Sequence, residues 1–572
     1  MSSGKSNIQR KYFRKVLILV LGMVVLNLLA AQFPGRLDLT SEKRFTLSPS
    51  TIRLLNHLDG PVRIKIFLKG DFPSGFRHFA ESARELMQEF QRYAGPRLQY
   101  TFVDPLQGLP DSSQAQVKDS LASMGIMPFN VKAQQNLSRG ISVQLIFPGA
   151  IVDYNGHQIP VNLLQSQPGN DPLETLNHSS SLLEYDFAHA ISELAEPVPP
   201  LVGYALGNAE PMNPEVYDLL NTLQNNYRLD TVNLQNEPAV GDSMAALVVF
   251  KPERTFTEPE KLKIDQYVMH GGKVFWILDR VHASMDSIRS QGSFLAYDNN
   301  LNLDDILFTY GVRIDPSLVE DLQCFSIPLT VGQMGGQPEI QELPWPMLPL
   351  FSPSADQVIV KNLGPLLGAF ASPLDTIQGG AQKKTVLLSS SSHSATIGTP
   401  YQVTLDNLKV QPDFRAFDRK HIPVAVLLEG TFPSPYTGRL DAGMLDSLSH
   451  LYAGGFRSRS PENKMIVVSD ADLFSNAVTR KEGPIPMGMD EYTRQQFANR
   501  DFFLNCLTYL TDESNIMESR NKEFVLRLLD AQKLKTDKSE MQVLALLLPS
   551  LLIILSGLLL QTLRKRRYGS PR

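Results

Sequence analysis

Two stretches of 18 residues without a charge, one near each end, constrain what lies between them. Residues 16–33 read VLILVLGMVVLNLLAAQF and residues 543–560 read VLALLLPSLLIILSGLLL, with Gln561, Thr562 and Leu563 able to extend the second. A helix needs about 20 apolar residues to cross the hydrocarbon core, and it satisfies its backbone N–H and C=O groups within its own segment. Both stretches are therefore expected to be transmembrane helices, at 16–33 and 541–563. The first is expected to stay uncleaved: Leu29-Ala30-Ala31 lacks a small residue at the first position of a small-x-small cleavage pattern, and its apolar run is longer than that of a signal peptide.

Charge sets the expected orientation. Residues 1–15 carry Lys5, Arg10, Lys11, Arg14 and Lys15, and residues 564–572 carry Arg564, Lys565, Arg566, Arg567 and Arg572, with no acid in either tail. Short basic flanks stay in the cytoplasm, so 1–15 and 564–572 are expected inside the cell and 34–540 on the periplasmic side of the cytoplasmic (inner) membrane. Lys522, Arg527, Lys533, Lys535 and Lys538 match the second tail in number, but they are mixed with Glu523, Asp530, Asp537 and Glu540. The formal net charge is −5, so the chain between the tails is −15. Such an acidic body argues against nucleic acid as a partner, because phosphate binding needs a basic footprint. Two cysteines, Cys324 and Cys506, cannot make a disulfide framework. The apolar spacing around Cys506 points to a buried small side chain.

The exported region is too long for one core. An N-terminal α/β domain is expected over 34–196: strand 62–68 (VRIKIFL), helix 79–93 and strand 98–103 form a βαβ-like unit, strands 141–147 and 150–154 around Pro148-Gly149 read as a hairpin, and 182–194 is a helix. Pro197, Pro199 and Pro200 mark a boundary. Over 197–284 strands and helices alternate: strand 201–206, helix 214–227, strands 231–234 and 245–250, a helix opened by the capping box Thr257-x-x-Glu260 and stopped at Gly271-Gly272, then KVFWIL at 273–278. The last is continuously apolar, as a strand buried on both faces should be. This alternation predicts a doubly wound α/β domain. A β-rich insertion (285–460) interrupts it, with strands at 385–388, 402–405 and 424–428. It resumes at 461–520 with KMIVVS (464–469) and a closing helix at 490–510, and 521–540 is a charged stalk.

Ligands of open α/β sheets sit beyond the carboxyl ends of the strands. Asp279 follows KVFWIL there, and Asp470 and Asp472 follow KMIVVS. These are the candidate cleft residues, able to serve metal or acid–base chemistry or to cap turns and helix starts. Other chemical signals are weak. His270-Gly-Gly-Lys273 is not a phosphate loop, and no metal-ligand spacing is present among the histidines and cysteines. Ser389–Ser392 with His393 is expected to be a loop and not a dyad. Trp345 fits either an exposed recognition loop or a satellite core. No catalytic, cofactor-binding or metal-ligating set emerges, and no cofactor is expected.

The alternating pattern resembles the class I glutamine amidotransferase-like fold, whose enzymes place a catalytic Cys at the elbow after a Gly-Gly-led strand. The matching place here is Asp279, which implies a fold reused without that acyl-transfer chemistry. The segment LDLTSEKRFTLS (37–48), together with YVMHGGKVFWILDR (267–280), DILFTYGV (305–312) and VVSDADLFSN (467–476), resembles the GldG family, gliding-motility ABC-transporter accessory proteins of Bacteroidetes. The resemblance implies a non-catalytic accessory subunit beside a permease and a cytoplasmic ATPase, with a link to type IX secretion and to periplasmic protein partners. The family's substrate-binding label implies the alternative of a solute-binding component. A membrane-tethered hydrolase is the more remote alternative.

Overall fold

In the computed structural model of the chain the described residues are 17–18, 20–25, 46–70, 72–134, 141–165, 171–196, 198–334, 337–353, 357–409, 412–521 and 538–568. The chain divides into two compact units, Met1–Glu523 and Phe524–Arg572. Of the first apolar stretch, 17–18 and 20–25 are helical and exposed. The remainder of 16–33, the tail 1–15 and nearly all of the stalk lie outside the described residues.

The N-terminal domain is a four-stranded sheet covered by helices. Helix α1 (Pro49–Asn56) opens with Ser48 accepting the Thr51 N–H, and α2 spans Ser74–Ala94. Strands β1 (Val62–Ile66) and β2 (Leu98–Phe102) pair in parallel around α2, as a βαβ unit requires. Strand β3 (Phe129–Gln134) pairs with β4 (Ile141–Ile146), while β5 (Gly149–Tyr154) pairs with β1 and with β6 (His157–Asn162). The expected hairpin across Pro148-Gly149 is therefore wrong: β4 and β5 join different sheets. The hairpin turn is Asn155-Gly156, where both residues have positive φ (52° and 87°), the Asn-Gly signature of a type I′ turn. Helix α3 (Pro172–Ala195) starts ten residues before the expected 182, because Asp171 caps it by accepting the Leu173 and Glu174 N–H groups.

The larger domain is built on a ten-stranded sheet. Its parallel half comprises β7 (Leu201–Leu206), β8 (Arg228–Asn233), β9 (Ala246–Phe250), β10 (Lys273–Ile277) and, far along the chain, Asn463–Val468. Helix α4 (Tyr217–Asn226) follows β7, and α5 (Glu258–Met269) follows β9. The antiparallel half uses β11 (Cys324–Met334), β12 (Gln337–Pro353), β13 (Lys383–Ser389) and β14 (Pro423–Gly430). With Asn463–Val468 as β15, the order is β11-β12-β13-β14-β15-β10-β9-β7-β8, and Leu366–Leu367 pairs off β12. The five parallel strands thus run second-first-third-fourth-fifth, a doubly wound order. Strands β13 and β14, which fall in the region 285–460, extend this same sheet on its β15 side.

Alternate residues of β9, β10 and β15 enter different cores. Val248, Phe250, Phe275, Ile277, Ile466 and Val468 pack with α4 and with α6 (Asn499–Thr511). Leu247, Val249, Val274, Trp276, Met465 and Val467 pack with α5 and the short helix Asp304–Tyr310. Burial on both faces explains why these strands carry no polar alternation. The closing helix begins at Asn499, not 490, since residues 490–498 form turns in which the Asp490 carboxylate accepts the Tyr492 and Thr493 N–H groups. The segment 305–312 is tied in by charge: Asp305 meets the buried Lys261 ammonium at 2.9 Å, and the Tyr310 hydroxyl donates to Asp265 at 2.8 Å.

The second unit contains α7 (Lys538–Tyr568), a helix of 31 residues with Pro549 inside it. Within α7, Gln542–Leu563 is a candidate membrane span of 22 residues with mean hydropathy 2.7 and no buried share.

Phe275 is fully buried, with its ring 5.7 Å from Phe503 and 5.9 Å from Phe474. Phe275→Ala should destabilise the body by about 3–5 kcal/mol in urea unfolding of the detergent-solubilised chain. Leu295→Ala, at a side chain 52% exposed, should change stability by less than about 0.5 kcal/mol.

Candidate functional site

The crevice of a doubly wound sheet lies beyond the carboxyl ends of its strands, where the strand order reverses. Here the reversal falls between β7 and β9. Three residues that follow these strands adopt positive φ: Gly207 (126°), Ala209 (61°) and Lys251 (45°). For Ala and Lys this is a strained conformation, of the kind concentrated at sites that hold a particular geometry.

Lys251 gathers the sequence candidates. Its Nζ lies 2.5 Å from Asp472 Oδ1 and 3.3 Å from Asp279 Oδ2. Asp279 Oδ1 accepts the Ala471 N–H at 2.7 Å. Asp470, fully buried, accepts the Ala369 N–H at 3.0 Å on one oxygen and the Leu473 N–H at 3.3 Å on the other, capping the turn Ala471–Leu473. Gly368 lets the chain approach: a Cβ there would lie 2.6 Å from Asp470 Oδ2. The three aspartates therefore come together, each bonded to a loop backbone N–H or to Lys251. Burial would push the Lys251 ammonium down, but Asp472 and Asp279 more than offset it and hold it above its ordinary value. Burial raises Asp279 and Asp470, and the neighbouring carboxylates raise them further. Chemically this is a closed charge network that locks three strand-end loops. No group of three or more His, Cys, Asp or Glu able to hold a metal is found among the described residues.

A second cluster lies after β7. The Asn208 N–H donates to Glu210 Oε2 at 2.7 Å, and Asn208 Nδ2 donates to Glu260 Oε2 at 3.2 Å. That same Glu260 oxygen accepts the Thr257 N–H at 2.7 Å, as the capping box anticipates. Burial pushes the Glu210 carboxyl up to about 7 against the pull of nearby backbone N–H groups. Sequence inspection missed this cluster because Asn208 and Glu210 sit in an irregular turn without a motif.

The remaining signals resolve plainly. Trp345 is buried against Phe370, with ring centroids 5.6 Å apart, so it belongs to a satellite core. Cys506 is buried in the main core. Ser392 Oγ and His393 Nδ1 lie 2.9 Å apart on an exposed turn. They meet because residues 390–393 lie outside the strand, where adjacent side chains would point to opposite faces.

A cavity of about 720 Å³ opens between the N-terminal domain and the α6 side of the larger sheet. His178, Leu182, Tyr185, His189 and Ser192 of α3 line it, at spacings of four, three, four and three residues that place them on one helical face. That stripe was detectable in principle. The expected helix began at 182 and so cut His178 off from it.

Among known proteins, a family model described as an ABC-type uncharacterized transport system matches residues 199–506, more than half of the chain. A domain of unknown function matches residues 41–153. The chain belongs to the first of these, a family of ABC transporter auxiliary proteins, and this supports an accessory role in an ABC transporter complex. No curated protein matches. Among solved structures, the mmIFT52 N-terminal domain is similar at 12% identity and TM-score 0.30, covering 54% of this chain and 97% of its own. A ThuA-like protein from Parabacteroides merdae ATCC 43184 is similar at 10% identity and TM-score 0.24, covering 55% and 90%. Neither likeness is strong enough to bear on the fold.

Two outcomes follow from the charges. Lys251→Met leaves Asp279 and Asp472 facing each other without their cation and should destabilise the body by about 3–5 kcal/mol, more than Asp279→Asn, in denaturant melts at neutral pH. Glu210 holds its proton more tightly folded than unfolded, so its contribution is intact below about 4.5 and is lost as pH rises through about 7. Glu210→Gln should therefore gain stability over the parent between pH 5 and pH 8, with a difference of about 2–3 kcal/mol at the upper end, read from unfolding curves at each pH.

Proposed function

We propose that this chain is a non-catalytic, membrane-anchored accessory subunit of an ABC transporter complex. Its helix α7 and the apolar stretch 16–33 anchor it in the inner membrane, and its folded body faces the periplasm, where it binds or transmits force to protein partners. The observation that carries this reading is the family match over residues 199–506, joined to strand-end carboxylates each of which is already engaged with Lys251 or with loop N–H groups. A permease and a cytoplasmic ATPase are the partners it calls for, because no phosphate loop stands in this sequence. The amidotransferase-like assignment belongs to the same reading: Leu278-Asp279 occupies the elbow where a thiol would act. Gliding motility, a Bacteroidetes source and a link to type IX secretion rest on the GldG resemblance alone, and the 37–45 part of its most specific motif lies outside the described residues.

The cavity beside α3 favours a second reading, a solute-binding component of the same transporter.

Affinity purification of the chain from gently solubilised membranes should bring down a multi-span permease and an ATPase in stable proportion. Recovery of a partner-free monomer under those conditions would overturn the accessory-subunit reading. Protease added to intact spheroplasts should cut the body; full protection would overturn the orientation.

A further inference from the structure

Two helices end at the cavity between the domains, and both bring negative charge to it. A helix C-terminus carries partial negative charge, which Lys, Arg or His in the last turn offsets. Neither α3 nor α6 has a basic residue there. Instead Glu193 and the C-cap Glu196 stand at the end of α3, and the C-cap Asp512 and Glu513 at the end of α6, and all four line the cavity. Asp501 adds another carboxyl from the first turn of α6. Among the described residues no cation lies within ion-pair distance of Glu193, Glu196, Asp501 or Glu513.

The two helix ends converge on one phenol. Burial pushes Tyr227 up to about 12, and Glu193 and Asp512 both add to the rise. Asp512 is held in place by accepting the Ser514 N–H at 2.8 Å and the Ile516 N–H at 2.7 Å. Glu193 and Asp501 reach water but sit in a concave wall, where desolvation raises both carboxyls. A desolvated carboxylate without a counter-charge is the state that a bound cation relieves.

The uncharged groups of the wall suit a cation as well. His178 and His189 are neutral at pH 7, since burial lowers both and brings His178 to about 4. The half-buried His189 ring stacks on Tyr185 at 5.3 Å, and among the described residues neither its nitrogens nor the Tyr185 hydroxyl has a hydrogen-bond partner. A neutral imidazole offers one lone pair to an ammonium N–H. Arg520 also lines the cavity, from the turn Ile516–Asn521, but is only 5% exposed. Its Nη1 donates to Asn505 Oδ1 and its guanidinium carbon lies 5.0 Å from the centroid of the Tyr185 ring, so it presents little surface to a ligand.

We propose that this cavity binds a small organic amine, its ammonium between Glu193, Asp512 and the two helix ends and its apolar body against Leu363 and Leu504. The volume of about 720 Å³ lies in the range of small-molecule sites, and domain interfaces are where such sites occur. Nothing in this site overlaps the Lys251 network. The inference rests on the solute-binding reading and gives it a chemical class.

The test is calorimetry on the full-length chain in detergent. The probes are cyclohexylamine, phenethylamine, the alcohol of the same skeleton for each, and calcium chloride. Both amines should bind more tightly than their alcohols by about tenfold or more. Glu193→Gln, at a side chain with no partner to lose, should lower amine affinity by about tenfold. Asp446→Asn removes the same charge at a side chain 77% exposed and outside the cavity, and should leave amine binding unchanged. Ser192→Trp, which fills the cavity and leaves its carboxylates in place, should abolish binding; it is the decisive variant if Glu193→Gln does not fold. Equal binding of amine and alcohol, amine binding unchanged in Ser192→Trp, or equal weakening by Glu193→Gln and Asp446→Asn overturns the proposal. Calcium binding without amine binding, blocked by Ser192→Trp, overturns the amine assignment and leaves the solute-binding reading standing. Absence of binding by every probe sinks both, and co-purification with a transporter is unaffected by either result.

Discussion

Burial of four parallel strands, β7, β9, β10 and β15, on both faces is the constraint on which the larger domain depends. A strand covered on both sides contributes side chains to two cores at once, and β9, β10 and β15 do so residue by residue. At roughly 1.5–3 kcal/mol for each fully buried large apolar side chain, this paired burial is what can hold a sheet whose fifth parallel strand arrives after a long excursion through residues 281–462. That excursion is tolerated because closing a longer loop adds little entropy once the strand has a slot to occupy. It also returns stability to the sheet, since β13 and β14 continue it beyond β15.

What could be read from the residues follows from which forces were local. KVFWIL, AALVVF and KMIVVS are continuous apolar runs bounded by glycine, acid or turn residues, and each became a strand close to its expected place. The capping box at Thr257 and the Gly271-Gly272 stop delimited α5 because both act within a single turn. Errors came where a distant partner decided. Strand β4 could not be assigned from the Pro148-Gly149 break, because its mate β3 lies before it in the chain, while the Asn155-Gly156 turn that does make a hairpin was passed over. Of the site, the positions of Asp279, Asp470 and Asp472 at strand ends were legible from strand endings alone. Their convergence on Lys251 was not, because the ammonium comes from the end of a third strand in a left-handed conformation that no local pattern announces.

Lys251 and Arg520 make an instructive contrast. Lys251 is matched by two carboxylates and by backbone donors that complete the network, so its loops have little reason to rearrange. Arg520 has a single amide oxygen and an aromatic face. Low dielectric strengthens a satisfied polar network and penalises an incomplete one. The same physical rule thus makes one region a lock and leaves the other short of a partner.

The turn carrying Arg520 also has a mechanical meaning. Ile516 is seated in the N-terminal core, while α6, only a few residues earlier, belongs to the core of the larger sheet. The last described turn of the first unit is therefore a staple across two domains. Tension arriving along the backbone from the C-terminal side reaches this staple before it reaches either sheet, and slackening it would loosen the cavity wall with no strand disturbed.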